Sequence, residues 1–159
     1  MILVALGSNI AGPWGSPRET VLQALQQLNL FPLRLRRASS LLMTKPFGVK
    51  NQPDFVNAVA VIETSMPPHV LMRKLHMIER AAGRKRGRRW GPRTLDIDLL
   101  DYHGQLRDQK GSIQKALILP HPGISKRSFV LLPLQEVAPK WQHPTLRRNV
   151  AEMIRYLGR

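Results

Sequence analysis

Apolar residues arrive along this chain in short bursts whose spacing changes, and each change predicts an element. Residues 1–6 are almost wholly apolar, the pattern of a short buried strand, and stop at Gly7, Ser8 and Asn9, which permit tight backbone and carry short polar groups. Ser16, Pro17, Arg18 and Glu19 then make a capping box with proline at the first helical position. Val21, Leu22, Leu25 and Leu28 follow at helical spacing, which predicts an amphipathic helix ending at Gln27 or Leu28. Residues 33–43 alternate in part and predict a strand; residues 55–64, rich in Val, Ala and Ile, predict a second, central one. Between them lies a loop broken by Pro46, Gly48 and Pro53. A second helix starts after Pro67 and Pro68, carries Leu71, Leu75, Ile78 and Ala82 on one face, and stops at Gly83. After a basic loop, alternation returns: Leu95, Ile97 and Leu99 fall on one side of a strand, Asp96 and Asp98 on the other. The last third is less regular, with helical segments predicted near residues 126–132 and 146–157.

The order strand, helix, strand, strand, helix, strand predicts an α+β fold of the ferredoxin-like βαββαβ kind, an antiparallel sheet with helices packed on one side and C-terminal additions. No repeat, linker or low-complexity tract interrupts it, so residues 1–159 are expected to form a single domain.

Charge adds a partner class. The chain carries 25 Lys plus Arg against 10 Asp plus Glu, a net +15, which favours anionic partners, either nucleic acid or phosphorylated small molecules. A hydrophobic fraction of 43% belongs to a globular chain and not to a disordered one. There is no cysteine, hence no disulfide framework and no thiolate chemistry. The apolar start lacks a basic leader and no run approaches a membrane span, so a soluble cytoplasmic protein without membrane association is expected.

The densest chemistry lies at residues 89–98, Arg-Trp-Gly-Pro-Arg-Thr-Leu-Asp-Ile-Asp. Two carboxylates on one strand face repel unless a cation sits between them, and Mg²⁺ takes one or two carboxylates together with phosphate oxygens and water. The same alternation also describes an ordinary surface strand. Upstream, Arg84, Lys85, Arg86, Arg88, Arg89 and Arg93 make six of ten residues basic, with Gly83, Gly87 and Gly91 as hinges. Alone this would be a solvated loop; beside an Asp-x-Asp strand it can fold over a polyphosphate. No Gly-x-x-x-x-Gly-Lys-Ser/Thr and no Gly-x-Gly-x-x-Gly after a strand is present, so side chains must hold the phosphates. Phe55 and Asn57 share a strand face, where a ring and an amide could stack on a flat heterocycle and pair with its edge, or simply join the core. His121, between two prolines, precedes Arg127 and Phe129; His69, His76, His103 and His143 show no metal-ligand spacing.

Taken together these residues resemble the 6-hydroxymethyl-7,8-dihydropterin pyrophosphokinases of folate biosynthesis over nearly the whole chain. The likeness rests on Gly7-Ser8-Asn9, on Thr44 to Gly48, on Gln52-Pro53-Asp54-Phe55-Val56-Asn57, on the string from Arg89 to Asp98, and on Pro120-His121 with Arg127 and Phe129. It implies a ferredoxin-like fold and transfer of pyrophosphate from ATP to the hydroxymethyl oxygen of the pterin, with release of AMP. By this resemblance Asp96 and Asp98 hold two Mg²⁺ ions and act catalytically with Arg84 and Arg93. Thr44, Pro46, Phe47, Phe55, Asn57, Trp90 and Phe129 would meet the pterin. Glu79, Arg84, Trp90, Arg93, His121 and Arg127 would meet ATP.

The chain departs from that pattern at Ala116 and Ile118, where an arginine and a threonine are common, at His76 in place of a glutamine, and in a basic loop one residue shorter. These changes bear on ATP affinity and lid geometry. The competing class is a basic nucleic-acid-binding module, but an aromatic RNA-binding string is absent and paired acids on the binding strand would repel phosphates without a metal. Small-molecule substrates, no nucleic-acid partner and a monomeric state are expected.

Overall fold

The computed structural model describes residues 1–46, 51–85, 92–109 and 117–158. Strands β1 (Ile2–Ser8), β2 (Arg34–Ala38), β3 (Leu42–Thr44), β4 (Phe55–Glu63) and β5 (Asp96–Tyr102) build the main sheet, and β6 (Arg107–Gln109) with β7 (Leu117–Leu119) forms a small ladder beside it. Among the described residues four helices accompany them: α1 (Pro17–Gln27), α2 (Pro68–Ala81), α3 (Ser128–Val137) and α4 (Val150–Tyr156). The strand order is β2-β4-β1-β5 with every pair antiparallel. Each of the first two helices therefore crosses over one intervening strand, which is the interleaving of a ferredoxin-like fold.

Local signals place the helix ends. Ser16 Oγ accepts the Glu19 amide at 3.2 Å while Glu19 returns a carboxylate oxygen to the Ser16 amide at 3.3 Å, closing the capping box before α1. Helix α2 runs to Ala81 and turns at Gly83, whose φ of +89° suits a residue without a side chain.

The strand expected over residues 33–43 is divided. β2 and β3 pair with successive stretches of β4, Ala38 opposite Ala60 and Leu42 opposite Asn57. At the break Ser39 Oγ accepts the Val59 amide at 2.9 Å, and Ser40 donates from its amide and hydroxyl to Glu136 of α3 at 3.0 and 2.8 Å. Side-chain oxygens stand in for the missing rungs of the ladder.

Both faces of the sheet are covered, which corrects the one-sided packing expected from the element order. Ile2, Val4, Leu6, Ala58, Ala60, Ile62, Ile97 and Leu99 pack against α1 and α2, while Leu3, Val59, Val61 and Leu100 pack against α3, α4 and Trp141. Ile2, Leu3 and Val4 are all 0% exposed; consecutive residues of a strand point to opposite faces, so such a run demands a layer on each side. A register shift at Leu3/Val4 against β5 turns Asp101 onto the second face, where its carboxylate accepts the Trp141 indole N–H at 2.9 Å and ties the C-terminal segment to the sheet. The segment expected near residues 126–132 begins as a 3-10 turn, Ile124–Lys126, and continues into α3; the terminal helix starts at Asn149, whose side chain caps it with Glu152. β6 and β7, three residues each, fell below what alternation can signal.

Candidate active site

The second face changes character along its strands. Toward one end it presents Leu3, Val59, Val61 and Leu100 to α3 and α4; toward the other, the same alternation presents Gly7, Phe55, Asn57, Asp96 and Asp98. Gly7 pairs with Asn57 on one side and with Asp96 on the other, so an amide, a bare backbone and a carboxylate form one row across β4, β1 and β5. The next row down is Val59, Ala5 and Asp98. Small residues on the central strand leave a hollow. A Cβ at Gly7 would stand 3.2 Å from Asn57 Oδ1 and 3.6 Å from Phe55 Cδ1, narrowing it from below.

That hollow is a cleft of about 340 Å³, floored by Ala5, Leu6 and Gly7 and walled by Thr44, Phe55, Asn57, Arg84, Arg93, Asp96, Asp98, His121, Arg127 and Phe129. A second cavity, about 230 Å³, opens on the α2 side and is bounded by Met72, His76, Glu79, Leu117, Ile118 and Pro122. Arg84, Asp96, Asp98 and His121 line both. The two aspartates thus stand in the wall between two compartments, one flanked by aromatic rings and an amide, the other by the apolar Met72, Leu117 and Ile118 together with the polar His76 and Glu79.

Electrostatics at the wall follow from crowding. Burial, and next the charge of Asp96, push the Asp98 carboxyl up to about 7, against the pull of Arg127, Arg84 and Arg93. Arg127 Nη1 and His121 Nε2 each lie 3.8 Å from Asp98 Oδ2, too far for hydrogen bonds. Burial, reinforced by Arg127, lowers the His121 pKa to about 4, so at neutral pH the ring is uncharged and the contact with Asp98 is not an ion pair. Its Nδ1 accepts the Gly123 amide at 3.0 Å, which leaves the proton on Nε2, facing the acids. Arg84 donates from Nη1 to Asp96 Oδ1 at 2.8 Å and to Glu79 Oε2. Glu79, 2% exposed, also accepts the Ile97 amide at 2.9 Å.

Among the described residues no group of three or more His, Cys, Asp or Glu is arranged as a metal cage. The donor set is two half-buried carboxylates, one of them with its pKa raised by burial and next by the charge of the other, with cavity space on both sides for further oxygen ligands. Such a set fits Mg²⁺, which keeps water and phosphate oxygens among its ligands, and does not fit zinc or calcium cages.

On the other side of the cleft, Asn57 Nδ2 donates to Thr44 Oγ1 at 2.6 Å, which orients the amide toward the hollow. Asn9, 1% exposed, links the loops that flank it: its Nδ2 donates to Gln52 Oε1 and Pro53 O at 2.9 and 3.0 Å, its Oδ1 accepts the Arg93 amide at 2.8 Å, and its own amide donates to Arg93 O at 3.1 Å. The emergence of Arg93 into the cleft is set by that clamp.

The family model for 7,8-dihydro-6-hydroxymethylpterin-pyrophosphokinase matches residues 3–139. The chain belongs to this family. Relatives named 2-amino-4-hydroxy-6-hydroxymethyldihydropteridine pyrophosphokinase include one from Pseudomonas aeruginosa, 42% identical over 96% of this chain and 89% of that one, and one from Aquifex aeolicus, 34% identical over 95% of this chain and 88% of that one. A mitochondrial folate synthesis bifunctional protein of Arabidopsis thaliana is 40% identical over 86% of this chain, which spans 23% of its length. A solved structure described as HPPK-DHPS in complex with substrates superposes with a TM-score of 0.75, covering 98% of this chain and 43% of that one; at 14% identity it shows the shared fold.

Of the residues that the pyrophosphokinase resemblance implies, Thr44, Phe55, Asn57, Arg84, Arg93, Asp96, Asp98, His121, Arg127 and Phe129 line the first cleft together, and Glu79 lines the second. Pro46 is not among the residues that line the cleft. Phe47 and Trp90, with Arg86, Arg88, Arg89 and Ala116, lie outside the described residues. Ala5 carries no signal in the sequence, and Gly7 and Asn9 stand there as part of a motif without a site role; their partners in the site are more than forty residues distant.

Proposed function

We propose that the protein transfers pyrophosphate from ATP to the hydroxymethyl group of 6-hydroxymethyl-7,8-dihydropterin, releasing AMP, as a cytoplasmic enzyme of folate biosynthesis acting on small molecules. The single observation that carries the reading is the wall shared by two cavities, because a transfer between two substrates needs its charge-stabilising groups where both can reach them. The pterin belongs in the first cleft, with Phe55 and Phe129 against its ring, and Asn57 and the backbone at Thr44 on its polar edge. The nucleoside of ATP belongs in the second, with its phosphates crossing the wall among Arg84, Arg93, His121 and Arg127.

Two Mg²⁺ ions held by Asp96 and Asp98 would supply charge neutralisation and a lowered pKa for the attacking alcohol. The residues of the chain do the rest. Alternation on β5 keeps both carboxylates on the face toward the substrates. The neutral His121 offers Nε2–H to a phosphate oxygen without adding charge to an already basic wall. Arg84, Arg93 and Arg127 spread the negative charge of the triphosphate, and the rows of strand residues align the alcohol with the β-phosphorus. In the reaction the alcohol oxygen bonds to the β-phosphorus, the α–β bridging bond breaks toward AMP, and the alcohol proton leaves to water.

Incubating the protein with ATP, Mg²⁺ and the hydroxymethyl-dihydropterin should yield AMP and the pterin diphosphate in equal amounts. Release of ADP in place of AMP would overturn the reading. So would salt-sensitive RNA binding that ATP and magnesium fail to displace.

A further inference from the structure

Glu79 is a buried carboxylate with two different tasks. It closes the last turn of α2, it is 2% exposed, and a single oxygen, Oε2, receives both the Ile97 amide at 2.9 Å and the Arg84 guanidinium. Ile97 is the residue between the two aspartates, so this bond fixes the stretch of backbone from which both carboxylates spring. Arg84 is shared in turn: the same Nη1 that meets Glu79 also meets Asp96 Oδ1 at 2.8 Å. The Glu79 backbone oxygen accepts the Arg84 amide at 3.1 Å, so the arginine is held at both ends. A guanidinium on Asp96 occupies one of the oxygens that a divalent cation would take.

We propose that Glu79 is a positioning residue that acts through Ile97 and Arg84: it sets the spacing of the acid pair, and it draws Arg84 back so that Asp96 can exchange a guanidinium for a metal ion. The inference rests on the pyrophosphokinase reading of the acid pair. Burial makes the arrangement stringent, since a desolvated carboxylate needs a cationic partner and Arg84 supplies it. The charge on Glu79 divides the hold of Arg84 between two acids. Without that charge Arg84 would lean on Asp96 alone and compete with the metal. Partners that orient metal-binding groups typically matter by roughly 10- to 100-fold in metal affinity, which is the size of effect expected here.

Glu79→Gln separates the two tasks, because the amide oxygen can still accept the Ile97 N–H while the charge that attracts Arg84 is gone. The probe is Mn²⁺, titrated into the full-length protein with saturating α,β-methylene-ATP and read as free ion by its paramagnetic resonance. The expected result for Glu79→Gln is a loss of at least tenfold in Mn²⁺ affinity, with slow hydrogen exchange kept at the Ile97 amide and pterin affinity unchanged. Adding Arg84→Ala to Glu79→Gln should recover most of the lost Mn²⁺ affinity, since the competitor is then absent. Mn²⁺ affinity within twofold of the parent in folded Glu79→Gln, or no recovery in the double variant, would overturn the proposal. Failure of the parent protein to form AMP would instead remove the function on which it rests, and the two failures are read in different assays.

Discussion

Asn57 and Asp96 face each other across Gly7: both are register partners of that glycine, one on β4 and one on β5. The amide proposed to read the pterin edge and a carboxylate proposed to hold Mg²⁺ are thereby set on either side of bare backbone, a separation fixed by the sheet at roughly 10 Å for two strand spacings.

The acid pair should be indispensable to catalysis while leaving the pterin pocket intact. Asp96→Asn combined with Asp98→Asn is expected to lower kcat by on the order of 10³-fold or more, because electrostatic stabilisation of the transferred group is lost. Pterin binding, followed by its fluorescence, should change little, and a comparable loss should follow removal of Mg²⁺ from the parent protein by chelation. Retained turnover in the double variant would contradict the role given to these residues.

Asn57→Ala should act in the opposite compartment. It removes the amide that Thr44 orients, and a lost polar contact to a desolvated ring edge costs about 1–3 kcal/mol, or roughly 5- to 150-fold in pterin affinity. The KM for ATP should stay near its parent value. Gly7→Val, which fills the floor between Asn57 and Phe55, should weaken pterin binding in the same selective way.

Asn9→Ala tests the clamp between the loops. The Arg93 amide and the Pro53 carbonyl would each lose a bond to a buried side chain; Pro53 is exposed and its carbonyl can turn to water, so the cost falls mainly on the Arg93 amide, at about 1 kcal/mol of stability. Because Arg93 would no longer emerge at a fixed point, kcat should fall by more than the loss of folded protein explains. A variant with reduced thermal stability but parental kcat would limit Asn9 to a structural role.

The pH dependence of stability has a definite sign at Asp98. Its pKa is raised from 3.8 to about 7 by folding, so the folded state holds a proton that the unfolded chain has released, and stability from this group is full below pH 3.8 and lost as pH rises through 7. His121, lowered from 6.5 to about 4, works in the other direction: its contribution is full above pH 6.5 and is lost as pH falls through 4. The two oppose each other between pH 4 and 6.5 and hide the trend in the metal-free parent. Asp98→Asn uncovers it. The melting temperature of this variant relative to the parent should climb from pH 4 to pH 7 and level off above, and Mg²⁺ with a nucleotide should erase the difference by stabilising the parent alone. A relative melting temperature that falls over the same range would mean that Asp98 is held ionised by its arginines.

Much of the frame is local chemistry and was legible in the chain. Ser16 with Glu19, the apolar stripe from Leu71 to Ala82 and the alternation through Asp96 and Asp98 specify their elements because hydrogen bonds and side-chain periodicity act over three or four residues. The same locality let the resemblance of residues 89–98 nominate the acids. Other features depend on groups far apart in sequence, and only the folded chain decides them. The division of β2 from β3 needs Glu136 to meet Ser40, and the cover on the second face needs α3 to return over β4 and β1. Asn9 gains its meaning from Gln52, Pro53 and Arg93, Glu79 of α2 from Ile97 of β5, and Asp98 its raised pKa from burial and from Asp96. The sequence by itself determined which residues could carry a metal, phosphates and a flat ring. The tertiary structure decided that the acids stand in a wall common to two cavities, because register across three strands and desolvation exist only once the sheet has formed.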